Sequence, residues 1–185
     1  MAELMTAKIG LFYGSSTCYT EMAAEKIRDA IHQLTDSEPV TLHNIADDPV
    51  GLINQYNYLI LGIPTWDYGE LQEDWEENWD NLDELDLKGK TIAVYGLGDQ
   101  VGYPAWFQDA LGYLWTKVKN QGASMVGLWP NQGYDFEDSK ALTVDKAFFL
   151  GLPLDDENQL ELTDPYIEQW SKQILIEFGL FASDT

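Results

Sequence analysis

Ile9-Gly10-Leu11-Phe12-Tyr13 runs directly into Gly14-Ser15-Ser16-Thr17-Cys18-Tyr19-Thr20, and that junction constrains the fold more than any other stretch. The first run is short and continuously apolar, as a strand buried on both faces must be. Beyond the loop, Ala23, Ile27, Ala30, Ile31 and Leu34 recur at helical spacing. A hydroxyl-rich loop therefore joins the carboxyl end of a strand to the amino end of a helix. Such a junction offers unpaired backbone N–H groups and the positive end of a helix dipole, which suit an anion. Ser15, Ser16, Thr17 and Thr20 add hydroxyl donors, and the loop has no Lys or Arg. Neutral donors alone suit a phosphate that stays bound rather than one that is transferred. A helix cap needs one hydroxyl, whereas this loop carries four. The patterns G-x-x-x-x-G-K-[ST] and G-x-G-x-x-G are absent. A phosphatase loop built on Cys18 would need an Arg where Ala24 stands.

The same alternation continues down the chain. Residues 7–13 read as the first strand and 17–35 as the first helix. Pro39 to Asn44 reads as a second strand, and Val50 to Gln55 as a short helix. Tyr58 to Ile63 is a buried strand ending at Pro64. A loop with Thr65, Trp66, Asp67, Tyr68, Gly69 and Glu70 follows, then a helix with Trp75, Trp79 and Leu82. Lys90 to Tyr95 is the fourth strand. It ends in Gly96-Leu97-Gly98-Asp99-Gln100, with Tyr103 close behind. A helix spans Pro104 to Asn120, a fifth strand Ser124 to Trp129, and a last helix Asp164 to Phe178. Between Pro130 and Lys146 the periodicity breaks. Alternating strands and helices predict a doubly wound parallel sheet of five strands in three layers. Ligands of such sheets bind beyond the carboxyl ends of the strands. The loops 14–20, 64–70 and 97–103 all follow strands and are expected to meet there. A planar ligand with a phosphate tail, held between Trp66 and Tyr103, accounts for all three.

The chain has 185 residues and a formal net charge of −22. The length suits one domain with a sizeable core, expected to span 1–185. The charge opposes nucleic acid and anionic membrane surfaces, and favours partners with a basic patch. A single cysteine excludes an internal disulfide or a cysteine metal cluster, and fits a reducing compartment. Glu3 and Lys8 bracket only a few apolar residues, so no signal core is expected. The apolar run from Tyr58 to Ile63 is far too short to cross a bilayer. A cytoplasmic, monomeric protein with no membrane partner and no metal site is the expectation.

With Gly14 to Thr20, Pro64 to Glu70, Gly98 to Tyr103 and Trp129 to Tyr134 in this order, the sequence resembles flavodoxins, small FMN-carrying electron-transfer proteins. The likeness runs along essentially the whole chain. The break at 130–146 is similar to the insertion that splits the fifth strand in the long-chain class, and the 14–20 loop is most like a second, paralogous group from enteric-type bacteria. The resemblance implies a flavodoxin-like sheet of order 2-1-3-4-5 and non-covalent FMN. Ser15, Ser16, Thr17, Cys18, Tyr19 and Thr20 would form the phosphate loop. Trp66 and Tyr103 would stack on opposite faces of the ring. Pro64, Thr65, Asp67, Tyr68 and Gly69, with Gly98, Asp99 and Gln100, would border its edge, and Glu157 would approach the ribityl chain. Relatives mostly have Gly where Cys18 stands, so a side chain there implies φ below zero. Asp67 occupies a position that is mostly Asn or Gly, and a turned peptide at 67–68 would carry some strain.

In this family a backbone carbonyl near residue 67 stabilises the neutral semiquinone, and surrounding charge disfavours the anionic hydroquinone. Asp67, Glu70, Glu73, Asp74, Glu76, Glu77, Asp80, Asp83, Glu84 and Asp86 form a run with no base among them. They would also steer basic redox partners, such as a flavodoxin/ferredoxin-NADP reductase and acceptor enzymes. His32 and His43 lie away from the loops and read as packing residues, and no nucleophile–base pair is visible. An electron carrier is therefore expected. An FMN-dependent quinone reductase on the same fold is the alternative enzyme, and a flavin-free receiver domain would need acids where Gly14-Ser15 and Pro64-Thr65 stand.

Overall fold

In the computed structural model, which describes residues 7–183, each apolar run becomes a strand of one parallel sheet. The N-terminal stretch around Glu3, expected to hold no signal core, lies outside the described residues. β1 (Ile9–Tyr13) is buried at every position. It sits between β2 (Val40–Asn44) and β3 (Tyr58–Trp66). β5 (Thr91–Leu97) follows on the far side of β3, and β6 (Ser124–Val126) closes the edge. This is the expected order 2-1-3-4-5, with β5 fourth among the main strands. β4 (Glu70–Leu71) is an added antiparallel return on β3.

Helices cover both faces because neighbouring strand residues point opposite ways. Tyr95 of β5 is fully buried. Its hydroxyl donates to Thr20 O at 2.8 Å, and its ring meets Trp170 at 6.4 Å. Those partners belong to α1 (Tyr19–Thr35) and α5 (Leu160–Glu177), which pack together on that face. The next residue, Gly96, faces Leu111 of α4 (Asp109–Asn120) on the other side. Gly62 of β3 pairs with Tyr95 in register, and a Cβ there would lie 2.2 Å from the Tyr95 ring. The sheet accommodates a fully buried tyrosine because its neighbour has no side chain.

Several boundaries differ from the sequence reading. β3 continues past Pro64 to Trp66 because β4 folds back to pair Thr65 with Leu71 and Trp66 with Glu70. The acidic helix is two short pieces, α2 (Glu73–Glu77) and α3 (Trp79–Leu82), hinged at Asn78. The helix expected from Pro104 begins only at Asp109, after a 3-10 turn and a left-handed Gln108 with φ 63°. α5 starts at Leu160, before Pro165 rather than at Asp164. The fifth strand is split more widely than expected. β6 stops at Val126 because Gly127 turns to φ 90°, and its carbonyl accepts from the Trp170 indole at 3.0 Å. The chain rejoins β5 only at β9 (Leu152–Leu154), so the excursion covers 127–151 rather than 130–146. Within it β7 (Trp129–Pro130) and β8 (Phe148–Phe149) form a small antiparallel pair. His43 stacks on Phe12 at 4.5 Å and bonds Asp48 and Tyr56, while His32 accepts from Val40 N–H at 3.1 Å. Among the described residues no helix is long and apolar enough to cross a membrane.

The excursion is anchored at Asp109, whose buried Oδ1 accepts Lys140 N–H at 2.7 Å. Burial pushes the Asp109 carboxyl above the usual carboxylate range, against the opposing Lys140 hydrogen bond and charge. A carboxyl raised in the folded state supports folding while protonated and costs stability once pH passes its folded value. Asp109→Asn keeps the acceptor, so its stability relative to the parent should rise as pH climbs from about 4 towards neutrality, read by urea melts. A difference that is flat with pH contradicts this. Gly62→Ala should lower the unfolding free energy by about 1–3 kcal/mol, as overpacking does. Gly51→Ala, with nothing within 4 Å of the new Cβ, should change it by less than about 0.5 kcal/mol.

Candidate functional site

β1, β3 and β5 end side by side, so the loops that follow them share one edge of the sheet. The first leads into α1, whose N-cap is Cys18. No side chain caps this helix, although four hydroxyls lie within reach in sequence. The hydroxyls are thus not used on the helix they precede. Ser15 Oγ is buried and has no hydrogen-bond partner, a costly state for a polar atom unless something else bonds it. Ser16, Thr17 and Tyr19 are exposed, and Thr20 is buried at the start of α1. Cys18 corrects the sequence reading. Its φ is 70°, in the left-handed region rather than below zero. The turn into α1 thus holds a cysteine where glycine is preferred, at some cost in strain.

The second loop is the hairpin between β3 and β4. Asp67 has φ 41° and Gly69 φ 86°, so the turn is strained at a non-glycine residue. At Gly69 a Cβ would lie 2.8 Å from Asp109 Oδ2, so this position must remain glycine. Trp66 is 37 % exposed and Tyr68 66 % exposed, large apolar groups left at the surface. The Tyr68 ring meets Tyr103 edge-on at 6.1 Å and Trp106 at 5.0 Å. Thr65 Oγ1 accepts Ala110 N–H at 3.0 Å, which ties the end of β3 to α4.

The third loop follows β5. Asp99 Oδ1 accepts Gly102 N–H at 2.7 Å and Val101 N–H at 3.1 Å, closing a tight turn, and the Asn158 amide donates to it at 2.8 Å. Partial burial opposes the charge of Asp99, but these donors outweigh it and hold its carboxyl below the usual range. The Tyr103 hydroxyl bonds the Asp67 carboxylate, which raises its pKa and links the second and third loops.

These loops enclose a cleft of about 250 Å³. Thr17, Tyr19 and Thr20 line it from the first loop, and Pro64, Thr65, Trp66 and Asp67 from the second. Gly98, Asp99 and Tyr103 line it from the third. Among the other predicted residues, Ser15, Ser16 and Cys18 lie in the same first loop, and Tyr68 and Gly69 do not line the cleft. Gln100 is turned inward. Its backbone N–H and side-chain amide both donate to Asp155, and its Oε1 accepts Asp135 N–H. It is a buried strut joining the third loop to the excursion. Two larger grooves, about 460 and 670 Å³, lie between helices and carry none of the hydroxyl loop.

A fourth loop, after β9, entered the sequence reading only through Glu157. Asp156 and Glu157 line the cleft, and buried Asp155 holds both Gln100 and Asn158. The signal available was Asp155-Asp156-Glu157 directly after the apolar Leu152-Pro153-Leu154, a strand end hidden by the split of the fifth strand. The cleft lining thus has four carboxylates, Asp67, Asp99, Asp156 and Glu157, and no Lys, Arg or His.

A family model for flavodoxins matches residues 11–170. Flavodoxin 2 of Escherichia coli (strain K12) is 58% identical over 171 residues, covering 92% of this chain and 96% of the relative. A flavodoxin of Nostoc sp. (strain PCC 7120) is 49% identical, covering 95% of this chain and 100% of its own. Among solved structures, Fusobacterium nucleatum flavodoxin bound to flavin mononucleotide superposes with a TM-score of 0.85 at 31% identity, covering 92% of this chain and 98% of that one. With the sheet order and the three converging loops described above, these matches establish that the chain belongs to the flavodoxin family.

Proposed function

We propose that this protein carries single electrons on FMN bound non-covalently in the cleft beyond β1, β3 and β5. Flavodoxins are electron-transfer proteins and not enzymes. The observation that carries the reading is the uncapped start of α1 with the buried, unpartnered Ser15 hydroxyl beside it. That arrangement fits a phosphate, and the flanking Trp66 and Tyr103 fit a planar ring. FMN, when bound, supplies one-electron redox chemistry that no side chain here can supply.

The residues divide the work. Ser15, Ser16, Thr17 and Thr20, with the N–H groups around Cys18 and Tyr19, would hold the phosphate with neutral donors. Trp66 and Tyr103 would sandwich the ring and exclude water from it. Backbone groups at 65–69 and 98–100 would bond its edge, and the strained Asp67 peptide is the group able to turn. Asp67, Asp99, Asp156 and Glu157 make further negative charge in the cleft unfavourable. Depressed Asp99 keeps its charge well into mild acid. This bias lowers the potential at which a second electron is accepted. The run Asp67–Asp86 would dock basic-surfaced redox proteins, a flavodoxin/ferredoxin-NADP reductase and acceptor enzymes among them, in a charge-steered and salt-sensitive way. We place the protein in the cytoplasm as a monomer of one domain.

Stepwise anaerobic dithionite reduction of the purified yellow protein tests this. A broad absorbance at the red end should rise and then fall as reduction proceeds, whereas direct bleaching would contradict a one-electron carrier. Glu157→Gln removes a cleft charge that makes no hydrogen bond in the structure. It should raise the potential of the second electron by roughly 20 mV or more, since one charge about 10 Å away is worth that in a solvent-like dielectric. An unchanged potential would contradict the electrostatic account.

A further inference from the structure

We propose that Gln72 is a positioning residue for phosphate recognition, fixing the Ser16 hydroxyl as a donor toward the bound phosphate; this rests on the FMN reading above. Gln72 is 1 % exposed and lies beneath the 14–18 loop. Two neighbours of opposite demand set its amide orientation. Trp75 N–H, at 3.3 Å, needs an acceptor, so the atom facing it is Oε1. The Asp74 carboxylate, at 2.7 Å, only accepts, so the atom facing it is Nε2. One amide hydrogen goes to Asp74. The other goes to Ser16 Oγ at 3.1 Å. Ser16 Oγ is therefore an acceptor from below, and its own hydrogen is directed away from the amide. Ser16 is exposed, so that hydrogen is free to meet a phosphate bound at the loop. Gln72 also touches the loop backbone, since a Cβ on Gly14 would lie 2.1 Å from its Oε1. In a loop with no positive charge, affinity for phosphate depends on how neutral donors are aimed, and this amide aims one of them.

Apoprotein titrated with FMN and with riboflavin, which lacks the phosphate, separates this role from general stability. Gln72→Met removes the donor, and Ser16→Ala removes its target. Each should weaken FMN at least about fivefold, the worth of part of a hydrogen bond to an anion. Riboflavin should stay within about twofold of the parent. The double variant should bind FMN no more weakly than Ser16→Ala alone, because the amide acts only through that hydroxyl. If Gln72→Met fails to fold, Gln72→Glu, which keeps the Trp75 acceptor but cannot donate to Ser16, enters the same cycle. Equal losses for both flavins, or losses that multiply in the double variant, overturn the proposal. Parent apoprotein that binds neither flavin overturns the FMN reading itself, and the proposal with it.

Discussion

The unpaired N–H groups at the start of α1 are the constraint around which the site is arranged. A helix leaves its first donors without partners, and most proteins satisfy some of them with a Ser, Thr or Asp cap. Here the N-cap is a cysteine in a left-handed turn, the cap bond is absent, and a neighbouring serine hydroxyl is buried with no partner. Each of these costs free energy on its own. Together they would be resolved by one occupant, the phosphate of the FMN we propose, held at the carboxyl edge of the sheet.

That occupant must enter a protein of net charge −22, through a cleft whose ionisable lining is entirely acidic. The two demands are met by separation. The neutral hydroxyls and the helix dipole belong to the first loop, while the carboxylates Asp67, Asp99, Asp156 and Glu157 line the cleft from the second, third and fourth loops. The interior braces keep these parts in register. Gln72 joins the first loop to the acidic helix, and Trp75 donates from that helix to Gly62 O at 2.8 Å. Gln100 joins the third loop to the excursion and to Asp155. The excursion therefore has a structural role here, as Asp135 N–H and Lys140 N–H brace Gln100 and Asp109 beside the third and second loops.

Strand order, layers and the convergence of three loops were legible because apolar runs and helical periodicity encode them locally. The 14–20 loop was legible because hydroxyls without lysine are an unusual composition for a helix start. What was not legible depended on tertiary partners. Thr65 and Trp66 extend β3 only because β4 returns to pair with them. The fifth strand breaks early because the Trp170 indole takes the Gly127 carbonyl, which hid β9 and with it Asp155 and Asp156 of the fourth loop. Cys18 was read with φ below zero from its side chain, yet the demands of the turn override the preference of the residue. Gln100 was read from its motif as bordering the ring edge through its backbone; that its side chain turns inward was not legible, because the buried Asp155 it bonds lies far away in sequence.

A crystal structure of the protein as purified tests the central claim most directly. The account predicts FMN with its phosphate on the first N–H groups of α1 and within hydrogen-bond distance of Ser15 Oγ, and its ring between Trp66 and Tyr103. A structure in which Ser15 or Thr17 caps α1 itself, with no anion at that helix end, would contradict it.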